Sequence, residues 1–256
     1  MQDLSSPTDS VEKELTMTDR ARETSPLVYA RTAGVLYLII IVFGIFSEVF
    51  IRSRLIVSGD AAATAGNILA SEGLFRVGFL ADSIMVMSDV ALAVLLYVLF
   101  RPVNRTLALV ATFFRLAQSA VLALNLLNYH AALLLLKDAG PATAFGADQL
   151  HAISYLFLDL HGHGYDLGLL LFGIHCLILG YLIVRSGFIP RVLGVLVMAA
   201  GVTYLVGSYT RFLFPAYVAF VSPIYIVAFV SELAICLWFL VRGVNLRQWE
   251  RRTGVT

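Results

Sequence analysis

Four ionisable residues, Asp89, Arg115, His175 and Glu232, stand at matching positions inside four long apolar segments of the chain. Each lies 10 to 12 residues from the arginine at one end of its own segment, which on a helix places it about 15–18 Å along the axis. A guanidinium can bind a carboxylate through two hydrogen bonds, and a histidine can exchange a proton with a neighbouring carboxylate. The pattern predicts a site that binds an ion or a small polar molecule, or that handles a proton.

A second set of polar residues lies farther from the basic ends of the apolar segments. Glu48, Asp82, Asn125 and Asp166 are 17 to 20 residues from the basic ends of their segments, or about 26–30 Å along a helix. The hydrocarbon core of a bilayer is about 30 Å thick, so these residues would lie near its outer boundary. They would form either a solvated rim or an outward-facing vestibule that leads to the first set.

The segment DLHGHGYD, residues 159–166, offers a weaker hypothesis of metal binding. His161 and His163 supply imidazole nitrogens between two aspartates, and such donors suit zinc or another divalent ion. On a regular helix the two rings would point about 160° apart. Both could bind one ion only if Gly162 and Gly164 let the backbone unwind, and otherwise we expect polar residues that cap a helix at the membrane interface.

No cofactor is expected from the remaining pattern. His161 and His175 share a helical face, but a haem at either would need an opposing ligand from another helix, and only His130 and His151 lie outside the fourth span. Cys176 and Cys236 lack the CxxC spacing of redox and zinc motifs. The sequence has no GxSxG, HExxH or phosphate-binding loop motif.

The composition indicates where these residues must be held. Of the 256 residues, 59% are hydrophobic and 14% are charged, whereas a soluble domain has about 25% charged residues. This balance is typical of a multi-pass membrane protein, with the lipid bilayer as its partner and a small molecule or ion as a possible ligand. No basic, aromatic-rich surface favours nucleic-acid binding, and the oligomeric state is not predicted.

Six apolar segments are long enough to cross a membrane. They cover about 30–50, 75–100, 106–136, 159–184, 192–213 and 216–241, and because backbone groups in lipid must be paired within the element, each must be a helix. The sequence thus predicts an all-α, six-helix transmembrane bundle over 29–242. It is flanked by a disordered tail, 1–28, and a basic tail, 243–256. Asp60 is placed to cap a short helix in the first connection, and a loop is expected from Lys137 to about Ser154.

The positive charges predict the orientation of the bundle. Of the 18 Lys and Arg residues, Arg115 lies within a span. With both termini in the cytoplasm, twelve of the others lie inside and five outside, and cytoplasmic connections normally carry the excess. The five outer residues are Arg52, Arg54, Arg76, Lys137 and Arg211. We therefore expect both termini to be cytoplasmic and the protein to lie in the cell membrane.

Several stretches resemble a known family. They include AGVLYLIIIVFGIFSEVFIR (33–52), RPVNRTLAL (101–109), the FR pair of the third span and GYLIVRSGFIPRVLG (180–194). They are similar to the bacterial integral-membrane family catalogued as domain of unknown function 4386, and the resemblance covers about 30–241. It implies a six-helix membrane protein and carries over no catalytic residue.

Three hypotheses of function remain open at this stage. In the first hypothesis the protein binds a small molecule, an ion or a proton, or transports it, and uses the first set of residues. Alternatively it is a membrane-embedded enzyme or a metal-binding protein that uses the histidines of the fourth span. In the third hypothesis it is a structural or regulatory protein in which the polar residues only hold helices together.

Overall fold

The computed structural model describes residues 25–137 and 145–253. Most of the predicted N-terminal tail and the Gly- and Pro-containing part of the loop after the third span lie outside the described residues. Within the described ranges the chain is helical without strands, and six helices are long and apolar enough to cross a membrane. The predicted all-α, six-helix fold is confirmed.

The first half of the bundle contains three spans and one short helix. Helix α1 (Pro26–Ile45) continues as a π-helix (Phe46–Arg52) and a closing turn (Ser53–Leu55). The short helix α2 (Ala61–Ala70) begins at Asp60, whose carboxylate accepts a hydrogen bond from the Ala63 amide at 2.8 Å, as the sequence predicts. The next two spans are α3 (Glu72–Phe100) and α4 (Arg105–Leu136).

The second half contains the remaining three spans. They begin with α5 (Ala147–Ser186) and α6 (Arg191–Leu213). The sixth span opens with short turns on either side of α7 (Val218–Val221) and continues as α8 (Tyr225–Val241). A last helix, α9 (Leu246–Thr253), follows the bundle.

Helix α5 begins well before the predicted start of the fourth span. Its 40 residues correspond to about 60 Å, about twice the thickness of the hydrocarbon core. The expected loop up to about Ser154 is therefore wrong from Ala147 onward. Leu150, Ser154 and Leu158 recur every four residues and are buried, and the Ser154 hydroxyl donates to the Ala132 carbonyl at 2.9 Å. Packing against α4 thus extends the helix beyond the apolar run.

The six spans form a closed ring in chain order. Each span contacts the next one along the chain, and α8 returns to contact α1. The basic end of the ring, where Arg101, Arg105, Arg185, Arg191 and Arg242 lie, is filled by a large apolar cluster. We call the opposite end the distal end, and there the interior of the ring is open.

Glycines bring α5 and α6 into close contact. A Cβ atom on Gly180 would lie 2.5 Å from the Gly194 carbonyl oxygen, and one on Gly201 would lie 2.7 Å from the Gly173 carbonyl oxygen. No side chain fits between the two backbones at these positions. The register of α5 against α6, which carry several of the polar residues, is set by this contact.

The C-terminal segment packs against the basic end. The Trp249 indole nitrogen donates to the Leu99 carbonyl at 3.3 Å, and an Arg252 guanidinium nitrogen donates to the Arg185 carbonyl at 2.8 Å. Trp249 therefore packs against the bundle.

Candidate functional site

Arg115 is the centre of a polar cluster in the middle of the bundle. Its side chain is fully buried. One terminal nitrogen donates to Asp89 Oδ1, and the other lies 3.1 Å from His175 Nε2 and 3.4 Å from the Tyr37 hydroxyl. Ser119 donates to the other oxygen of Asp89 at 2.7 Å. Helices α1, α3, α4 and α5 are thus joined through one guanidinium.

His175 is held in one tautomer by its surroundings. Its Nδ1 lies 2.8 Å from the Ala111 carbonyl oxygen, which can only accept, so Nδ1 carries the proton. Nε2 is then free to accept from Arg115. Because both ring nitrogens are engaged, His175 acts in this arrangement as a fixed polar contact between α4 and α5.

Among the described residues, Glu232 has no hydrogen bond to this cluster. It accepts a hydrogen bond from Tyr204. The ring of Phe172 lies 5.2 Å from the Tyr204 ring and 5.6 Å from the His175 ring, and the Arg115 guanidinium lies 5.0 Å from it. Three of the four residues of the first set therefore meet directly, whereas Glu232 is bound to Tyr204, whose ring packs against Phe172.

A large cavity occupies the distal end of the ring. Its volume is about 750 Å³, and its walls come from the end of α1, the middle of α5, the distal half of α6 and the segment around α7. Glu48 and Asp166, both predicted for the outer set, line it. Leu169 and Tyr204 line its part nearest the middle of the membrane, so the Tyr204–Glu232 pair connects the cavity to the first set.

Two groups of ion pairs, each centred on an arginine, lie at the cavity walls. Arg52 contacts Glu48 and Asp82, each at 2.7 Å. Across the cavity Arg211 contacts Asp166 at 3.0 Å, and it lies 3.8 Å from Asp159. Sequence reasoning counted both arginines only as charges of the outer side. The spacing of four residues between Glu48 and Arg52 was the signal that could have identified one of these pairs.

The other two residues of the outer set lie behind the cavity wall. Asp82 and Asn125 line a second cavity of about 10 Å³, which His161 also borders, and this is close to the volume of one water molecule. The Asn125 side chain donates to the His161 carbonyl at 2.7 Å. Asp82 Oδ1 and His161 Nε2 are buried, and neither has a hydrogen-bond partner among the described residues.

The two orphaned atoms are both acceptors. His161 Nδ1 lies 3.2 Å from the Asn125 carbonyl oxygen and so carries the ring proton. Nε2 of the neutral ring can then only accept a hydrogen bond. The same is true of both oxygens of an ionised Asp82. The wall between the two cavities is therefore short of hydrogen-bond donors.

The histidines of the fourth span are separated by a regular helix. Helix α5 continues through residues 161–164, so the unwinding that a shared metal would require is absent there. The His161 ring packs 5.3 Å from Tyr129, whereas the His163 ring packs 5.9 Å from Phe212. In the part of the chain that the structure describes, no three His, Cys, Asp or Glu residues are arranged to hold a metal ion.

Comparison with known proteins identifies the family. Residues 32–243 match the family described as domain of unknown function DUF4386. The chain belongs to this family. It is also 28% identical over 165 residues to an uncharacterized protein of Archaeoglobus fulgidus, a match that covers 64% of this chain and 83% of the relative. No solved structure shows significant similarity to the chain.

The match to the DUF4386 family brings no assigned activity. Six apolar helices make this member a multi-pass membrane protein. Its polar residues fall into a packed cluster around Arg115 and an open cavity with paired charges on its walls.

Proposed function

We propose that this DUF4386 protein lies in the cell membrane and binds a small molecule in the cavity at the distal end. The cavity is the observation that carries the proposal. Its volume of about 750 Å³ falls within the 300–1,000 Å³ that is usual for small-molecule sites. Apolar and aromatic side chains form much of its wall, and a few charged groups are placed among them, which is the usual composition of such sites.

This proposal moves the binding site outward from the residues that the sequence favoured. Asp89, Arg115 and His175 contact one another and neighbouring helices, with Arg115 Nε left without a partner among the described residues. None of the three lines either cavity described above. We propose that they fix the packing of the helices. Glu232 keeps a possible role in binding, because its partner Tyr204 lines the cavity.

The shape of the cavity favours binding over a continuous path through the protein. Its lining residues lie in the distal half of the bundle, while buried apolar residues such as Leu99, Phe100 and Ile183 fill the basic end. With the predicted orientation, the ligand enters from the outer side. The enzyme hypothesis receives less support, because both nitrogens of His175 are already engaged.

A blocked cavity provides the test. Leu169 lines the cavity, whereas Leu167, two residues earlier on the same helix, is 48% exposed on the outside of the bundle. Leu169→Trp should fill the cavity, and Leu167→Trp serves as the matched control. The purified proteins are screened by thermal unfolding against small cationic, anionic, zwitterionic and neutral amphipathic molecules.

We expect at least one molecule to raise the melting temperature of the wild type and of Leu167→Trp, but not of Leu169→Trp. Ligand at about 100 times its Kd stabilises the folded state by about 2.7 kcal/mol, which a thermal scan detects. If no molecule distinguishes the wild type from Leu169→Trp, the cavity is not a binding site and the proposal is wrong.

A further inference from the structure

We infer that the cavity takes an amphipathic organic cation. This inference rests on the proposed function and adds the chemical class of the ligand. It depends on three features of the cavity, namely the balance of charge, the orphaned acceptors and the tyrosine rings of the wall.

Carboxylates outnumber guanidiniums among the charged groups at the cavity. Glu48, Asp159 and Asp166 line the cavity with Arg52 and Arg211, which gives a net charge of −1 when all five are ionised. Asp82 contacts Arg52 from behind the wall, and with it the six groups sum to −2. Each guanidinium already lies between two carboxylates, so an anionic ligand would have to displace one of them. A cation instead meets carboxylate oxygens that the two arginines cannot all satisfy. The six residues are Glu48, Asp82, Asp159, Asp166, Arg52 and Arg211.

The buried acceptors without partners in the wall also favour a positively charged ligand. Asp82 and His161 are 2% and 5% exposed, and each has a buried acceptor without a partner among the described residues. His161 borders both cavities. Unpaired buried acceptors add negative potential to the wall and are stabilised by a donor or a positive charge nearby.

Aromatic rings supply the other half of the recognition. Tyr155, Tyr165, Tyr204 and Tyr225 all line the cavity, and the faces of such rings attract ammonium and related cations. Leu158 and Leu169 add apolar surface on the α5 side. A ligand with apolar groups around a delocalised or alkylated positive charge matches this combination better than a small inorganic ion does.

Two probes of equal size and opposite charge test the sign of the ligand. Tetraphenylphosphonium and tetraphenylborate are compared for binding to the full chain in lipid nanodiscs, with empty nanodiscs subtracted for partition into lipid. We expect tetraphenylphosphonium to bind at least about tenfold more tightly than tetraphenylborate, and this binding to be lost in Leu169→Trp. Because Leu167 lies outside the cavity, Leu167→Trp should bind like the wild type.

Charge-neutralising variants identify the responsible carboxylates. Glu48 is 68% exposed at its side chain, so Glu48→Gln should fold normally, and Asp166→Asn removes the more buried carboxylate on the opposite wall. Each variant should weaken tetraphenylphosphonium binding by about three- to tenfold. Asp148→Asn, an exposed site on the same helix outside the cavity, should leave binding unchanged.

The outcomes separate this inference from the proposed function. If tetraphenylborate binds more tightly, or only a neutral molecule from the thermal screen binds and Leu169→Trp abolishes that binding, the cation class is wrong while the binding site stands. If both carboxylate variants bind tetraphenylphosphonium as tightly as the wild type does, the inference of a cationic ligand is also wrong. If neither probe binds and the screen finds nothing, both proposals are wrong.

Discussion

At the scale of single residues, Arg115 shows how a membrane protein holds a charge in its interior. Its guanidinium is paired with Asp89, contacts His175 and Tyr37, and lies over the ring of Phe172. A charge placed in hydrocarbon without a partner costs at least about 2.5–3.5 kcal/mol on insertion scales. A stable bundle therefore needs either both charges, Arg115 and Asp89, or neither of them.

This requirement predicts the behaviour of three variants. Asp89→Leu leaves the guanidinium unpaired and should lower the free energy of unfolding by about 2.5–3.5 kcal/mol. Arg115→Met should have a similar effect, because it leaves the Asp89 carboxylate buried without its cation. The double variant should lose less than either single variant, since no uncompensated charge remains. Reversible unfolding in mixed detergent micelles measures the three values.

The control for these three variants is an exposed ion pair on the same helix as Asp89. Arg76 contacts Glu72 one helical turn earlier, with its own side chain 58% exposed, and such surface pairs add little to stability. Arg76→Met should therefore change the free energy of unfolding much less than Arg115→Met. Losses that simply add in the double variant would contradict the pairing that the structure indicates.

At the scale of elements, one π-helix and one close contact between two α-helices shape the site. The π-helix at the end of α1 contains both Glu48 and Arg52 and places them on the wall of the cavity. Such segments occur often at functional sites. The contact of α5 with α6 through glycines brings Tyr165 and Asp166 on one helix to the same cavity as Tyr204 and Arg211 on the other.

The glycine contact predicts a strong effect of a single methyl group. In Gly180→Ala the new Cβ would lie 2.5 Å from the Gly194 carbonyl oxygen and 2.8 Å from the Met198 amide nitrogen, so the two backbones must separate. We expect a loss of about 1–3 kcal/mol in the free energy of unfolding, seen as a lower melting temperature. Ligand binding should also weaken, because both helices line the cavity.

Gly66→Ala is the matched control for this substitution. Gly66 lies within helix α2 and has no atom within 4 Å of the position of a new Cβ. Alanine favours helix by about 1 kcal/mol relative to glycine, so this variant should be as stable as the wild type or slightly more stable. Equal effects at Gly180 and Gly66 would show that α5 and α6 do not pack as closely as described.

At the scale of the whole molecule, the ring of six spans has two unlike ends. Apolar side chains fill the basic end, whereas the distal end holds the cavity with its paired charges. The predicted orientation places the basic end in the cytoplasm, following the usual distribution of Lys and Arg. The open side of the cavity would then face outward.

Labelling of introduced cysteines tests this orientation. Ser58 lies in an exposed turn at the distal end, and Thr106 is exposed at the basic end. The native Cys176 and Cys236 are buried, so they should give a low background. A membrane-impermeant maleimide should label Ser58→Cys in intact cells, and Thr106→Cys only after the membrane is opened. The reverse pattern would place the cavity on the cytoplasmic side.

Much of the architecture follows from the sequence alone. Long apolar segments can only be helices in lipid, because each backbone group must find its partner within the same element. The constant rise of a helix also converts residue number into depth, so Asp89, Arg115 and His175 could be predicted to meet. The early start of α5 was missed because its first turns are stabilised by contacts with α4, which no local pattern records.

The tertiary structure decided which polar residues are satisfied and which face open space. Depth along a helix says nothing about rotation around its axis, so depth alone predicts Glu232 beside Arg115, whereas its hydrogen bond is to Tyr204. The cavity depends on the spacing of helices that are far apart in the chain, and Arg52 and Arg211 became part of the site only through that spacing. Periodicity along one helix determines what lies at a given depth, but only packing between helices determines what lies beside it.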